Sequence, residues 1–464
     1  MLSKHSDAIA PGGHTISAEG IHPNVHFICR CLREQGYEAL LVGGAVRDLL
    51  LGRQPKDYDL ATSAPPEAVR RLFRNARLIG RRFRLVLLRY PNMSVEVSTF
   101  RGEPLDKQNG MIHRDNRYGT WREDAPRRDF TINALAFDPL AQVLHDPVGG
   151  LKDLQRGRIR TIKPPRESFT EDPVRMLRAV RFKVRLGFEI DPQCEAAIAD
   201  KLHLLNDVKR HRLAEEIQRF LTCGQAVPAY REFDRLGLLR PLLGIEAHRW
   251  FVSARALRDP LAAMQPLLAE LDRWTAAGGE PIAPTVAQLG LLTSLALERY
   301  QRYLLGADLQ DQPAKLGRSK KQMPRILAEW GMLNGQIAPA LAIVDAARVL
   351  VRAGGKPLRD PGAADALPGI REALLLLAIL RNVRGHSLEF VEKALHNLHR
   401  LPDLPILDHP RPANRPPRRR PVARPRSHQP WPRGEPVPTP PRRRPDSRVA
   451  RHGKRSTGRN PDEK

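Results

Sequence analysis

The stretch from Leu41 to Thr62, LVGGAVRDLLLGRQPKDYDLAT, limits the possible folds more than any other part of the chain. An apolar strand leads into a Gly-Gly break, a short helix follows, and a second strand carries Asp57 and Asp59. Side chains two apart on a strand point the same way, so both carboxylates can meet the same metal ions. Gly43 and Gly44 leave their backbone amides free to approach phosphate oxygens. Arg47 adds a cation, and Asp48 beside it is grouped with the same nucleotide-contacting turn. Two glycines, a basic side chain and paired carboxylates imply a site for a nucleoside triphosphate with magnesium, and hence nucleotide transfer.

The surrounding pattern supplies a sheet to carry that site. A helix is predicted from about Pro23 to Gln35. Short strands then dominate to about Arg160: YEALLVG, DYDLAT, FRLVLLRY, SVEVSTF, TINALAF and GRIRTI, with one helical interval, PPEAVRRLF. Strands interleaved with helices describe an α/β domain. Arg101 to Arg128 is polar and charged, as in a long, partly ordered insertion loop. After about Ser168 the chain turns helical, and Leu/Ala-rich segments such as IREALLLLAIL extend an all-α region to about Arg400. The expected fold class is an α/β head, a mixed sheet with helices, followed by an all-α neck and body. Its boundaries are a flexible N-terminus over 1–20, a catalytic head over 21–165, a neck over 166–225, a body over 226–405 and a tail over 406–464.

Charge narrows the partners. Among 464 residues, 77 are Lys or Arg and 51 Asp or Glu, a formal net charge of +26. Such an excess calls for a polyanion, with nucleic acid or an acidic membrane surface as candidates. Residues 411–464 hold 17 Lys or Arg, 4 Asp or Glu and 13 Pro, so about half the excess lies in a segment with almost no aliphatic side chains. It cannot bury enough apolar surface to offset the entropy of ordering. It reads as a disordered basic arm that contacts RNA phosphates with little sequence preference. No apolar run approaches the roughly 18 residues that span a bilayer, and MLSKHSDAIAPGG lacks the apolar centre of a secretory signal. Four cysteines, with Cys29 and Cys31 facing different ways on a helix, fit neither a disulfide framework nor a zinc clip. A cytoplasmic setting follows.

Transfer of a nucleotide from its triphosphate needs two divalent ions about 4 Å apart, held by hard carboxylate oxygens. Asp57 and Asp59 supply two groups. Glu96, between two valines in SVEVSTF, supplies the third, because a carboxylate in an apolar strand is costly unless a cation meets it. RRDFTINAL, Arg127 to Leu135, brings Arg128, Asp129 and Asn133, which can bind triphosphate and ribose hydroxyls. DPVGG, Asp146 to Gly150, is a scaffolding turn whose glycines permit positive φ. His145 and Asp146 lack further ligands at the spacing of a metal-dependent phosphohydrolase.

EDPVRMLRAVRF, Glu171 to Phe182, opens a helix with acidic residues and Pro at its positive end. From Asp172 to Leu186, at about 100° per residue, Arg175, Arg178, Arg181 and Arg185 share one face. Met176, Leu177, Val180 and Val184 share the other. Asp172 and Arg175, three apart, are neighbours. An acceptor beside a donor matches the edge of adenine or cytosine and opposes that of guanine or uracil; an intrahelical ion pair is the plainer alternative.

In order and spacing, GGAVRDLLLG with DYD, VEVSTFR, RRDFTINAL, DPVGGLKDL, EDPVRMLRAVRF and RLAEEI resemble the class II nucleotidyltransferases of the poly(A) polymerase and tRNA CCA-adding family, over about residues 35–225. The resemblance implies that Asp57, Asp59 and Glu96 bind Mg2+ or Mn2+, that Asp129 joins the active site with Arg128 and Asn133, that Asp172 and Arg175 read the base, and that Arg178 contacts the nucleotide. FRNARLIGRRFRLVLL, NGMIHRDNRYG and the Arg/Pro-rich end are similar to the bacterial poly(A) polymerase branch. That branch implies ATP as substrate, AMP addition to RNA 3′ ends and a role in RNA turnover. The alternative is CCA addition to tRNA. A catalytically inactive RNA-binding regulator is the remote one.

Overall fold

The computed structural model describes residues 8–9, 16, 20–80, 84–91, 93–102, 106–108, 111–114, 118–278, 282–297, 313–353 and 368–384. The chain divides into two units, Met1–Leu407 and Asp408–Lys464. The basic tail expected over 406–464 lies outside the described residues.

An eight-stranded mixed sheet organises the head. Its strands are β1 (Ala8–Ile9), β2 (Ala39–Val42), β3 (Tyr58–Thr62), β4 (Ala76–Ile79), β5 (Leu85–Tyr90), β6 (Met93–Thr99), β9 (Ala136–Asp138) and β10 (Val143–His145). β7 (Asp106–Gln108) and β8 (Met111–Arg114) form a separate hairpin within the insertion. The order is β1-β10-β9-β2-β3-β6-β5-β4, and β3–β6 is the one parallel pair within this sheet. Parallel neighbours need a crossover, made here by α3 (Pro66–Leu72) and the β4–β5 hairpin.

The side-chain period of two on a strand decides what each face holds. Leu60, Val95 and Val97 turn into the main core with Val25, Ile28 and Leu32 of α1 (Pro23–Glu34). Val42 and Ala61 face the other way, where they pack with Phe100, Trp121 and Ala134. Asp59 alternates with Leu60 and shares that second face, which is why the site lies opposite α1.

Beyond the sheet, α5 (Gly150–Gln155) and α6 (Pro165–Glu171) lead to α7 (Val174–Leu186), which packs against α9 (Arg210–Leu221) and α10 (Ala226–Arg235). Further helices follow, among them Pro260–Ala276, Pro284–Leu295, Pro313–Glu329, Asn334–Ala353 and Ile370–Arg384.

Several local expectations are corrected. Of TINALAF only Ala136–Asp138 is strand. Thr131–Asn133 makes one tight helical turn instead, with the Thr131 hydroxyl donating to Asp153 at 2.7 Å. GRIRTI shrinks to Arg158–Ile159, paired in parallel with Glu189–Ile190. Ala8–Ile9, expected to be unstructured, extends the sheet beside β10. The helix expected from Asp172 begins at Val174. A residue before proline is pushed out of the helical region, and Asp172, at φ −149° and ψ 98°, is extended between α6 and α7.

Candidate active site

The parallel pairing of β3 and β6 places Asp59 directly across from Glu96. Asp57 stands just before β3, at the end of the turn that leads into it. All three side chains are exposed to solvent. Asp59 is open on one side only, toward a cavity, and protein crowds it elsewhere. Partial desolvation, then the negative charge of Glu96, and then that of Asp57 push its carboxyl up to about 6, against the pull of Arg128. Crowded carboxylates with one nearby guanidinium are a hard-oxygen donor set short of positive charge, which fits a divalent cation. Among the described residues no three His, Cys, Asp or Glu side chains stand close enough to complete a metal cage. Mg2+ is commonly bound through one or two carboxylates plus water and phosphate oxygens, so the pair suffices as its protein share.

Asp59 opens into a cavity of about 430 Å3. Six arginines line it: Arg47, Arg128, Arg175, Arg178, Arg181 and Arg185. The carboxylates on its wall are Asp59, Asp129 and Asp172, with Gly43, Gly44, Asn133 and Phe182 completing the lining. Four of the arginines come from α7, whose basic stripe faces the sheet. Phe182 lies beneath three guanidiniums, 5.2 Å from Arg47, 5.3 Å from Arg181 and 5.8 Å from Arg178. An aromatic face attracts cations at such range, so the ring helps keep like charges together.

Buried ion pairs fix the cations in place. Arg47, only 2% exposed, donates through Nε and Nη2 to Asp48 Oδ1 at 2.9 and 2.7 Å, and through Nη1 to Asn133 at 2.6 Å. Asp48 also accepts from Arg185 at 3.0 Å. Asp129 accepts from Phe130 N–H, Asn133 and Arg178. Burial alone would raise its carboxyl; Arg178 and the two hydrogen bonds outweigh that and hold it below the usual carboxylate range. Burial pushes Arg181 down to about 10, with Arg178 adding to the fall and Glu216 opposing it across a 3.1 Å ion pair. Arg128 pairs with Asp124 at 3.2 Å and lies 5.1 Å from the Trp121 ring.

Ten of the thirteen residues singled out from sequence meet on this cavity wall. Asp48 does not; it sits behind Arg47 and aims it. Asp57 and Glu96 lie off the wall, beside Asp59 in sequence and in register. Two geometric expectations change. Gly43 adopts φ +68°, and its N–H donates to the Leu135 carbonyl at 3.2 Å, so that amide is spent inside the fold. What the glycine provides is room: an added Cβ would lie 3.4 Å from the Arg128 guanidinium. Asp172 and Arg175 do not pair with each other. Arg212 on α9 donates to both Asp172 oxygens at 3.0 and 2.9 Å. Arg175, buried, donates to the Ser168 hydroxyl at 2.9 Å and the Arg127 carbonyl at 3.1 Å. Arg181, Phe182 and Arg185 were not assigned to the site from sequence, although the i, i+3, i+7 spacing of the basic stripe already put the two arginines beside Arg178.

An α/β head with a carboxylate pair facing an arginine-lined cavity defines a nucleotidyltransferase. Residues 39–160 match the family described as "Poly A polymerase head domain", and residues 187–247 match "Probable RNA and SrmB- binding site of polymerase A". These matches place the chain in the poly(A) polymerase and tRNA CCA-adding nucleotidyltransferase family. It is 45% identical over 248 residues to Poly(A) polymerase I of Salmonella typhi, covering 51% of this chain and 53% of that protein. Against Poly(A) polymerase I of Haemophilus influenzae it is 42% identical over 237 residues, covering 49% and 52%. Against the CCA-adding enzyme of Bacillus pumilus it is 37% identical over 222 residues, covering 48% and 55%. The chain therefore spans about half the length of these relatives. A solved CCA-adding enzyme, apo form II, shares the fold with a TM-score of 0.52 at 20% identity, over 82% of this chain and 84% of that one. Among the described residues no helix is long and apolar enough to cross a membrane.

Proposed function

We propose that this chain is a template-independent poly(A) polymerase that transfers AMP from ATP to RNA 3′ ends, in RNA turnover. One observation carries the reading: six guanidiniums line one cavity whose edge bears Asp59 beside Glu96. Arginine forks match phosphate oxygens, and such a concentration of positive charge calls for a polyphosphate. Phosphoryl-group transfer asks a protein mainly for positioning and charge stabilisation. The arginines of α7 and Arg47 hold the triphosphate so that its α-phosphorus faces the carboxylates. The RNA 3′-oxygen attacks in line, a new P–O bond forms, and pyrophosphate leaves with the electrons of the broken one. Asp57, Asp59 and Glu96 are the residues to hold Mg2+ or Mn2+, which when bound lowers the pKa of the attacking hydroxyl and neutralises the leaving group.

Asp172 supplies the base-edge acceptor. Its pairing with Arg212 keeps it ionised, so it accepts from the exocyclic amine of adenine or cytosine and repels a carbonyl. RNA is held by the region over 187–247 and by the basic tail. The 37% identity to a CCA-adding enzyme supports a second reading, CCA addition to tRNA. Pure protein, given an unstructured RNA or a tRNA ending at its discriminator base with each nucleotide supplied singly, separates them. Homopolymeric A growth supports the first. Addition of C, C and A that then stops overturns it.

A further inference from the structure

Asp129 stands on the cavity wall in the position of an active-site carboxylate, yet its bonding leaves it nothing to offer a ligand. We infer that Asp129 is a positioning residue that acts through Arg178 and Arg47, and touches neither the ribose nor a metal. An ionised carboxylate offers about four acceptor directions, and all are used. Oδ1 takes the Phe130 N–H at 2.8 Å and the Asn133 amide at 3.1 Å. Oδ2 takes Nε of Arg178 at 2.7 Å and Nη2 at 2.6 Å, a two-pronged grip on one guanidinium. The residue is 9% exposed.

The consequences run in two directions. Arg178 has five N–H groups; two are turned back to Asp129, and the other three remain for an anionic ligand. The grip chooses one orientation for a long, flexible side chain before any nucleotide arrives. Asn133 carries the second effect. Arg47 has only donors and Asp129 only acceptors, so the amide between them can lie one way: Nδ2 to Asp129, Oδ1 to Arg47 at 2.6 Å. One buried carboxylate thereby aims two cavity cations, one from α7 and one from α2 (Gly44–Leu50). Its contribution is to phosphate binding, without contact to any reacting atom.

The inference rests on the nucleotide-transfer reading, and the experiment separates the two. Steady-state kcat and KM are measured with ATP and with 2′-deoxyATP for the parent protein, Asp129→Asn, Arg178→Gln and the double variant. If Asp129 acts through Arg178, Asp129→Asn raises KM by about tenfold and leaves the ATP to 2′-deoxyATP preference within about twofold. In the Arg178→Gln background it then costs less than about a further twofold. Loss of ribose discrimination, or a further tenfold fall on top of Arg178→Gln, overturns the assignment. The double variant strands neither charge, so it keeps the test usable if Asp129→Asn alone does not fold. A parent protein that incorporates no AMP sinks the transfer reading instead, and equilibrium binding of the two nucleotides then makes the same comparison.

Discussion

Removing the Asp48 carboxylate tests whether the buried pair behind the cavity is structural. Asp48 and Arg47 have side chains 8% and 2% exposed, and Arg47 makes two charge-assisted bonds to one Asp48 oxygen. Taking one partner from a buried pair costs about 3–5 kcal/mol, because the other charge stays behind without compensation. Here Arg47 keeps Asn133 at 2.6 Å and the Phe182 ring at 5.2 Å, so Asp48→Ala is expected at the lower end, about 3 kcal/mol. Arg185 also donates to Asp48, but its side chain is 51% exposed. Solvent screening leaves such a pair about 0–1 kcal/mol, and Arg185→Ala should be close to neutral for stability. Asp48→Asn retains an acceptor for Arg47 and should cost about 1–2 kcal/mol. Urea titration followed by tryptophan fluorescence, with Trp121 reporting the head, measures all three. A loss below about 1 kcal/mol for Asp48→Ala, or an equal loss for Arg185→Ala, refutes the reasoning.

Three further outcomes follow from the site. Asp57→Ala should abolish AMP incorporation while leaving RNA binding and the melting profile largely intact; substantial residual turnover removes it from the metal-binding set. The Asp59 carboxyl is raised from 3.8 to about 6, so between those values the folded chain binds more protons than the unfolded one. Stability without divalent cations should therefore decline as pH rises through that window. Glu96→Gln, or added Mg2+, should flatten the decline, and an unchanged pH profile in both cases argues against the crowding. Gly43→Ala forces a side chain onto φ +68°, at a cost of about 1–2 kcal/mol, and presses on Arg128. A thermal melt and the KM for ATP should both worsen; parent values in both would show that no constraint exists there.

The site was legible where its chemistry is local in sequence. Gly43 to Asp59 shows strand, break, helix and strand directly, and the arginine stripe on α7 follows from a helical repeat. The missing parts depend on distant partners. Asp172 reads as a neighbour of Arg175, but a residue forty positions on claims it, and Pro173 bars the helical geometry that the local reading assumed. Thr131 to Asn133 sits in a strand-like run, yet Asp153 and Asp129 bind its polar side chains and curl the backbone. The Gly43 amide looked free because the Leu135 carbonyl that receives it is far along the chain. Phe182 escaped notice because an apolar residue on a buried helix face carries no sign that cations surround it.

The pairing of β3 with β6 also has a bearing on how this chain tolerates insertion and deletion. A strand shifted by one position exchanges its two faces. One codon gained or lost inside residues 93–99 would bury the carboxylate of Glu96 and turn Val95 or Val97 outward, even if every hydrogen bond of the ladder reformed. Such a protein would lose its chemistry together with its core. Length changes there should be purged far more strictly than changes in the hairpin over 106–114, whose pairing orients none of the residues on which catalysis depends.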